Sequence, residues 1–272
     1  YKDTTYIDQV LECLNVAGPV LPSHVWETEY DPQKNTAAAT TEDLDARAWD
    51  YRTRIKNTMK LDKNSTQIWK DTVEERDLGY CEGPFDEAQV TEHFRLCGLA
   101  DPDRWLPLKR FGVEQKTKIR GCDDASDNGV NSTSSRPEKL KISSVDRIVD
   151  MIRQWRRLAP GRRLGAWALD EHKAYRHIPI SDDQRRYAVV AVVDPGEDED
   201  KDGAYTTTNR GQWTWTTHCF GFTTKGRAQG NRGRVRFFVM NGHCFGFTNA
   251  VYNYCRRPRA LNHVLVRACW IT

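Results

Sequence analysis

The chain has 272 residues, enough for one large domain or two modest ones. Charged residues make up 29% of it and the formal net charge is +3, so any nucleic-acid surface has to come from local basic patches. No run of eighteen apolar residues occurs, so no membrane partner is expected, and the eight cysteines form no CxxC pair and read as free thiols of a reducing compartment, with a zinc site as the alternative.

The first residue is Tyr1, and no basic start with an apolar core follows it. This points to a partial gene model or a piece of a larger polyprotein. Residues 1–65 form an N-terminal segment of undefined role. Gln33 to Thr41 reads as a linker, and Glu42 to Leu61 as a charged helix with Leu44, Trp49, Ile55 and Met59 on one side.

Residues 66–100 read as two short helices. The first runs from Trp69 to Leu78 and closes at Gly79. Gly83-Pro84 makes a break, and Asp86 caps a second helix carrying Val90, Phe94 and Leu96. Leu108 to Val113 and Lys118 to Cys122 then form a hairpin around the polar turn Glu114 to Thr117. Asp123 to Pro137 is a loop. Ser144 to Leu158 is the clearest helix: Val145, Ile148, Val149, Ile152 and Trp155 share one face, which predicts ordinary packing on a core.

Leu164 to Leu169 is a short apolar run that reads as a buried strand delivering Asp170 at its end. Tyr187 to Val193 is the best strand in the chain. The loop from Pro195 to Gly203 is acidic. Asp198, Asp200, Asp202 and Gly203 match the opening of an EF-hand loop, but position twelve is Asn209 and strands flank it, so it reads as a solvated hairpin tip. Gln212 to Thr217 alternates like a strand. The hexapeptide HCFGFT occurs at His218 to Thr223 and again at His243 to Thr248, with only basic charges between the copies. A duplicated or wrongly spliced segment is the favoured reading, and a basic insertion that touches a phosphate backbone is the other.

Three stretches carry chemistry. Asp170 opens Asp170-Glu171-His172-Lys173-Ala174-Tyr175-Arg176-His177-Ile178-Pro179-Ile180, which resembles the first metal-binding motif of reverse transcriptases. Upstream, Arg110 to Asp124 (RFGVEQKTKIRGCDD) resembles the fingers hairpin of that family. Downstream, Cys244-Phe245-Gly246-Phe247-Thr248-Asn249-Ala250 resembles its nucleotide-positioning motif, although His243-Cys244 stands where Leu-Pro is usual and Pro258 should kink or break the following helix. Glu74-Glu75, Gly79 and Gly83-Pro84-Phe85 resemble the opening of the fingers. The stretch Asp127 to Asn131 with Pro137 to Leu140 looks closest to a divergent group of such proteins abundant in dinoflagellate genomes.

The resemblance covers about residues 66–265 and implies an α+β fold. Fingers would occupy 66–160, and a partial ferredoxin-like palm, an antiparallel sheet with packed helices, would occupy 161–272 with insertions at 195–211 and 218–242. It implies an intracellular retroelement RNA-directed DNA polymerase that acts on an RNA or DNA template with primer and on deoxynucleoside triphosphates. Two Mg²⁺ ions would assist nucleotidyl transfer, with Asp170 as metal ligand and catalytic carboxylate. Lys116, Lys118 and Arg120 would meet the triphosphate, and alternation puts Lys118 and Arg120 on one strand face. Tyr175 would pack under the sugar, or else be a core aromatic. Phe245 and Gly246 would line the nucleotide pocket, and Asp124 would anchor the hairpin.

From Asp170 to Gly246 is 76 residues, longer than is usual in the family, and the first repeat copy stands 51 residues from Asp170. No aromatic-x-Asp-Asp turn follows Thr248. One Asp cannot hold two Mg²⁺ ions, so the expectation is a chain that does not polymerise as it stands, with a non-catalytic remnant or nucleic-acid-binding module as the alternative.

Overall fold

The structure, a computed structural model, describes residues 3, 5–28, 37–135, 138–141, 144–163, 165, 170–196 and 233–269, with side chains as far as 261. The expected strands at Leu164 to Leu169 and Gln212 to Thr217 lie outside these residues. So do the acidic loop from residue 197 onward, the first HCFGFT copy and residues 33–36 of the expected linker.

The order of elements is α1 (Tyr6–Leu11), α2 (Thr41–Thr58), α3 (Ser65–Asp77), β1 (Cys81–Phe85), α4 (Glu87–Leu96), β2 (Pro107–Glu114), β3 (Ile119–Asp124), α5 (Val145–Leu158), β4 (Val189–Val193), β5 (Val235–Met240) and α6 (Thr248–Cys269). Three 3₁₀ turns, Val130–Thr133, Ala174–His177 and Asp182–Tyr187, lie between them.

The five strands make one open sheet in the order β1-β5-β4-β2-β3. The fold is therefore α+β as expected. The sheet, however, is mixed rather than antiparallel: β2 pairs β4 in parallel, with Leu108 opposite Val190, and the other three neighbours are antiparallel. The long connection from Asp124 to Val189 gives β4 room to return beside β2 in the same direction. Strands from the expected fingers and palm regions thus share one sheet.

Local chemistry sets most of these elements. Thr40 and Asp43 form a reciprocal capping box on α2, as do Asp86 and Gln89 on α4. Gly79 takes φ +80° just past α3, and the N–H of Tyr80 donates to the carbonyl of Glu75 at 2.9 Å, closing the helix end. Gly83-Pro84 is not a break. It lies inside β1, an edge strand whose register shifts between Glu82 and Phe85.

Every residue of β4 is buried, as a strand with neighbours on both sides requires. Trp105 is fully buried edge-on to Phe237 at 5.0 Å, with the Arg52 guanidinium 4.6 Å from its ring centre. Leu44, Ile55, Val90 and Phe94 complete the core from α2 and α4.

Two expectations fail here, and a third fails in part. Trp49 is 65% exposed, because the buried stripe of α2 runs Leu44, Ala48, Tyr51, Arg52 and Ile55. Helix α5 buries none of its residues, so its apolar face does not pack on the core. Helix α6 runs through Pro258, which forfeits one i→i−4 hydrogen bond without ending the helix.

Candidate functional site: a charged cavity beneath the β2–β3 hairpin

Helix α3, the hairpin and the turn after Asp170 enclose a cavity of about 500 Å³. Its lining includes Asp71, Glu74 and Glu75 from α3, Arg110 from β2, Lys118 and Arg120 from the second hairpin arm, the turn Asp170 to Arg176, and Phe245. Four sequence-singled residues that lie far apart in the chain, Lys118, Arg120, Tyr175 and Phe245, therefore meet Asp170 around one space. Lys116 does not join them. It is exposed in the hairpin turn, outside the lining. Gly246 lines a second cavity of about 570 Å³, which shares Tyr175 and Phe245 with the first.

Those two rings form the partition. Tyr175 and Phe245 are 5.8 Å apart, Tyr254 meets Tyr175 edge-on at 5.4 Å, and the Arg120 guanidinium stands 5.7 Å from the Phe245 ring centre. Tyr175 is half-buried, lining the cavity and packing against the edge of the core.

The Phe-Gly loop is held against β3. The N–H of Asp123 donates to the carbonyl of Phe245 at 3.0 Å. Asn131 braces the same loop twice, donating to the Gly246 carbonyl at 2.9 Å and accepting from the Thr248 N–H at 2.8 Å. Gly246 has φ +134°, and a Cβ there would lie 2.0 Å from the Asp123 oxygen. Below it, buried His243 donates from Nδ1 to the Ile178 carbonyl at 3.1 Å and accepts at Nε2 from Asn253 at 3.2 Å. Burial pushes its pKa down to about 4, so the ring is neutral. The His243 that breaks the family pattern is thus a satisfied core residue.

The cavity floor leaves no local signal in the sequence. Arg110 donates from Nε to Asp123 at 2.7 Å, and from Nη1 to the Thr72 hydroxyl at 2.9 Å and to Glu75 at 3.0 Å. Arg176 donates to both Glu75 oxygens at 3.2 and 3.1 Å and to the His243 carbonyl at 2.9 Å. Burial alone would raise the Glu75 carboxyl, but the charges of Arg110 and Arg176 outweigh it and hold it at about 2. The Glu74-Glu75 pair and the Tyr175-Arg176 pair were visible in the sequence, but nothing local joins residues 101 positions apart.

The Asp124 side chain accepts from the N–H groups of Ser126 at 3.2 Å and Asp127 at 2.9 Å, so it caps the turn after β3 rather than the hairpin turn. Asp170 is exposed at the rim. Among the described residues no group of three His, Cys, Asp or Glu side chains could hold a metal ion, so they make no magnesium site of their own. Cys13, Cys81, Cys122, Cys244 and Cys255 are free thiols.

Comparison with protein-family models, with curated proteins and with solved structures finds no match to the chain.

Proposed function

We propose that the cavity is the nucleotide pocket of a reverse-transcriptase-like protein, an RNA-directed DNA polymerase of retroelement type. The observation that carries this is the convergence of Lys118, Arg120, Asp170, Tyr175 and Phe245 on one space. Lys118 and Arg120 are exposed on it, and neither makes an ion pair with any described residue, so both are open to an anion. A triphosphate lies along that arm of the hairpin. The Tyr175 and Phe245 rings back the sugar, and the left-handed backbone at Gly246 lets a base approach on the far side. Fingers and palm in this reading are the hairpin with α3 and the β4–β5 half of the sheet.

In the family a magnesium pair supplies charge stabilisation, with Asp170 as one ligand. A single carboxylate does not fix two ions in octahedral geometry. What these residues do themselves is bind and orient the nucleotide, while primer and template meet the basic hairpin surface. The second reading, a non-catalytic remnant that binds nucleotide or nucleic acid, is supported by the lack of a metal cluster among the described residues.

Titration of the full chain with a fluorescent deoxyadenosine triphosphate tests the pocket. Saturable binding is expected, weakened at least about tenfold in the Lys118→Ala, Arg120→Ala double variant, since loss of charged hydrogen bonds exceeds about 1.4 kcal/mol. Absence of saturable binding, or binding indifferent to the double variant, would overturn the assignment. Primer extension in the presence of Mg²⁺ separates polymerase from remnant.

A further inference from the structure

We propose that Lys173 is a third phosphate-binding cation of this cavity, held in reserve by Glu74 and Glu75 until a polyphosphate displaces them. The inference rests on the nucleotide-pocket reading and names a residue that reading does not include.

The cavity carries five cationic side chains, and their hydrogen bonds sort them. Arg110 and Arg176 are locked: each is nearly fully buried and spends its guanidinium on Asp123, Glu75 and neighbouring oxygens. Lys118 and Arg120 are open. Lys173 lies between these states. Its ammonium stands 3.8 Å from a Glu74 oxygen and 3.8 Å from a Glu75 oxygen, beyond hydrogen-bond length to either, and its side chain keeps 20% exposure on the cavity. Glu75 already accepts from two arginines at 3.0 to 3.2 Å, so it loses little when Lys173 swings away. Glu74 is 61% exposed, where an ion pair is worth under about 1 kcal/mol.

The backbone and the charge balance agree. Lys173 has φ +50°, a left-handed conformation that a lysine adopts only when the surroundings impose it, and it falls in the turn between Asp170 and Tyr175. Five carboxylates line the cavity beside the five cations, so its wall is close to neutral. A triphosphate carries three to four negative charges. Lys118 and Arg120 alone would offer it two free cations on a wall that also carries the carboxylates of Asp71, Glu74 and Asp170, while Glu171 is paired with Arg257 at 2.9 Å. Recruiting Lys173 adds a third contact, and its flexible stem suits a point charge that changes partners.

Inorganic tripolyphosphate and orthophosphate, titrated calorimetrically into the full chain, are the probes. Lys173→Asn removes the charge with a residue that tolerates the left-handed backbone, and Lys173→Arg restores it. The expected result is a tripolyphosphate affinity about tenfold weaker in Lys173→Asn and within about threefold of the parent in Lys173→Arg, with orthophosphate affinity changed less than twofold. Tripolyphosphate affinity that stays within twofold in Lys173→Asn, whatever happens to its melting temperature, would reduce Lys173 to a structural ion pair and overturn the proposal. Tripolyphosphate binding that depends on Lys173 while the fluorescent nucleotide fails to bind would retire the nucleotide reading and leave the anion site standing. Failure of both ligands to bind overturns both.

Discussion

The main-chain N–H of Asp123 donates to the carbonyl of Phe245 at 3.0 Å, across 122 positions of sequence. The same Asp123 takes the Arg110 guanidinium on its carboxylate at 2.7 Å. One residue of β3 therefore fixes the hairpin arm from its side chain and the Phe-Gly loop from its backbone. Both walls of the cavity are tied to it.

Gly246→Ala should break this junction. The new Cβ would stand 2.0 Å from the Asp123 carbonyl oxygen at a φ of +134°, so both the contact and the backbone are forbidden. A loss on the order of 2 kcal/mol or more is expected by chemical denaturation. Gly121→Ala, whose Cβ would meet only ordinary contacts from 3.4 Å outward, is the control and should cost less than half as much. Equal costs would refute the junction.

Glu75 and Glu74 are adjacent in sequence and unlike in consequence. Glu75→Ala removes one of the two carboxylates that Arg110 and Arg176 share, leaving Asp123 alone against two nearly buried guanidinium groups, and such under-compensated buried charge costs about 3 kcal/mol. Glu74→Ala removes only a 3.8 Å contact from a largely exposed side chain and should fall within about 0.5 kcal/mol of the parent. Urea midpoints of the two variants decide it; similar shifts would mean that Glu75 is no hub.

What the sequence disclosed follows its range. Asp86, Gly79 and the β2–β3 turn act on residues within a few positions, and each performs in the structure the role its residue type implies. Lys118, Arg120, Asp170, Tyr175 and Phe245 were singled out by resemblance, and the chain folds them around one space. The Glu75–Arg176 pair, the parallel β2–β4 pairing and the role of Asp123 were hidden, because each joins distant segments and leaves no local pattern. Periodicity on α5 reported that one face is apolar, but it carried no information on what that face meets.

Helix α5 turns that last point into a measurement. Ile152 is 38% exposed and Trp155 53% exposed, so Ile152→Ser and Trp155→Ser should each change stability by no more than about 0.5 kcal/mol. Val190→Ser, at a position with no exposure in the central strand, should cost about 3 kcal/mol. A large loss from either α5 substitution would show that its apolar face is covered in the folded protein.

Acid should unfold the chain in two stages that trace to two buried groups. His243 titrates near 4 when folded and near 6.5 when free, so the unfolded chain takes up its proton first. Its contribution is complete above 6.5 and is lost as pH falls toward 4, at a slope approaching 1.36 kcal/mol per pH unit. Glu75 is depressed from 4.5 to about 2, so its contribution is complete above 4.5 and is lost between there and 2. Denaturant midpoints measured at pH 7, 5.5 and 4 should therefore fall steadily in the parent. In His243→Asn the fall from pH 6.5 to 4 should be shallower by that slope, even if the variant is less stable throughout, because an amide does not titrate. Parallel pH profiles for parent and variant would show that His243 is not held neutral by burial.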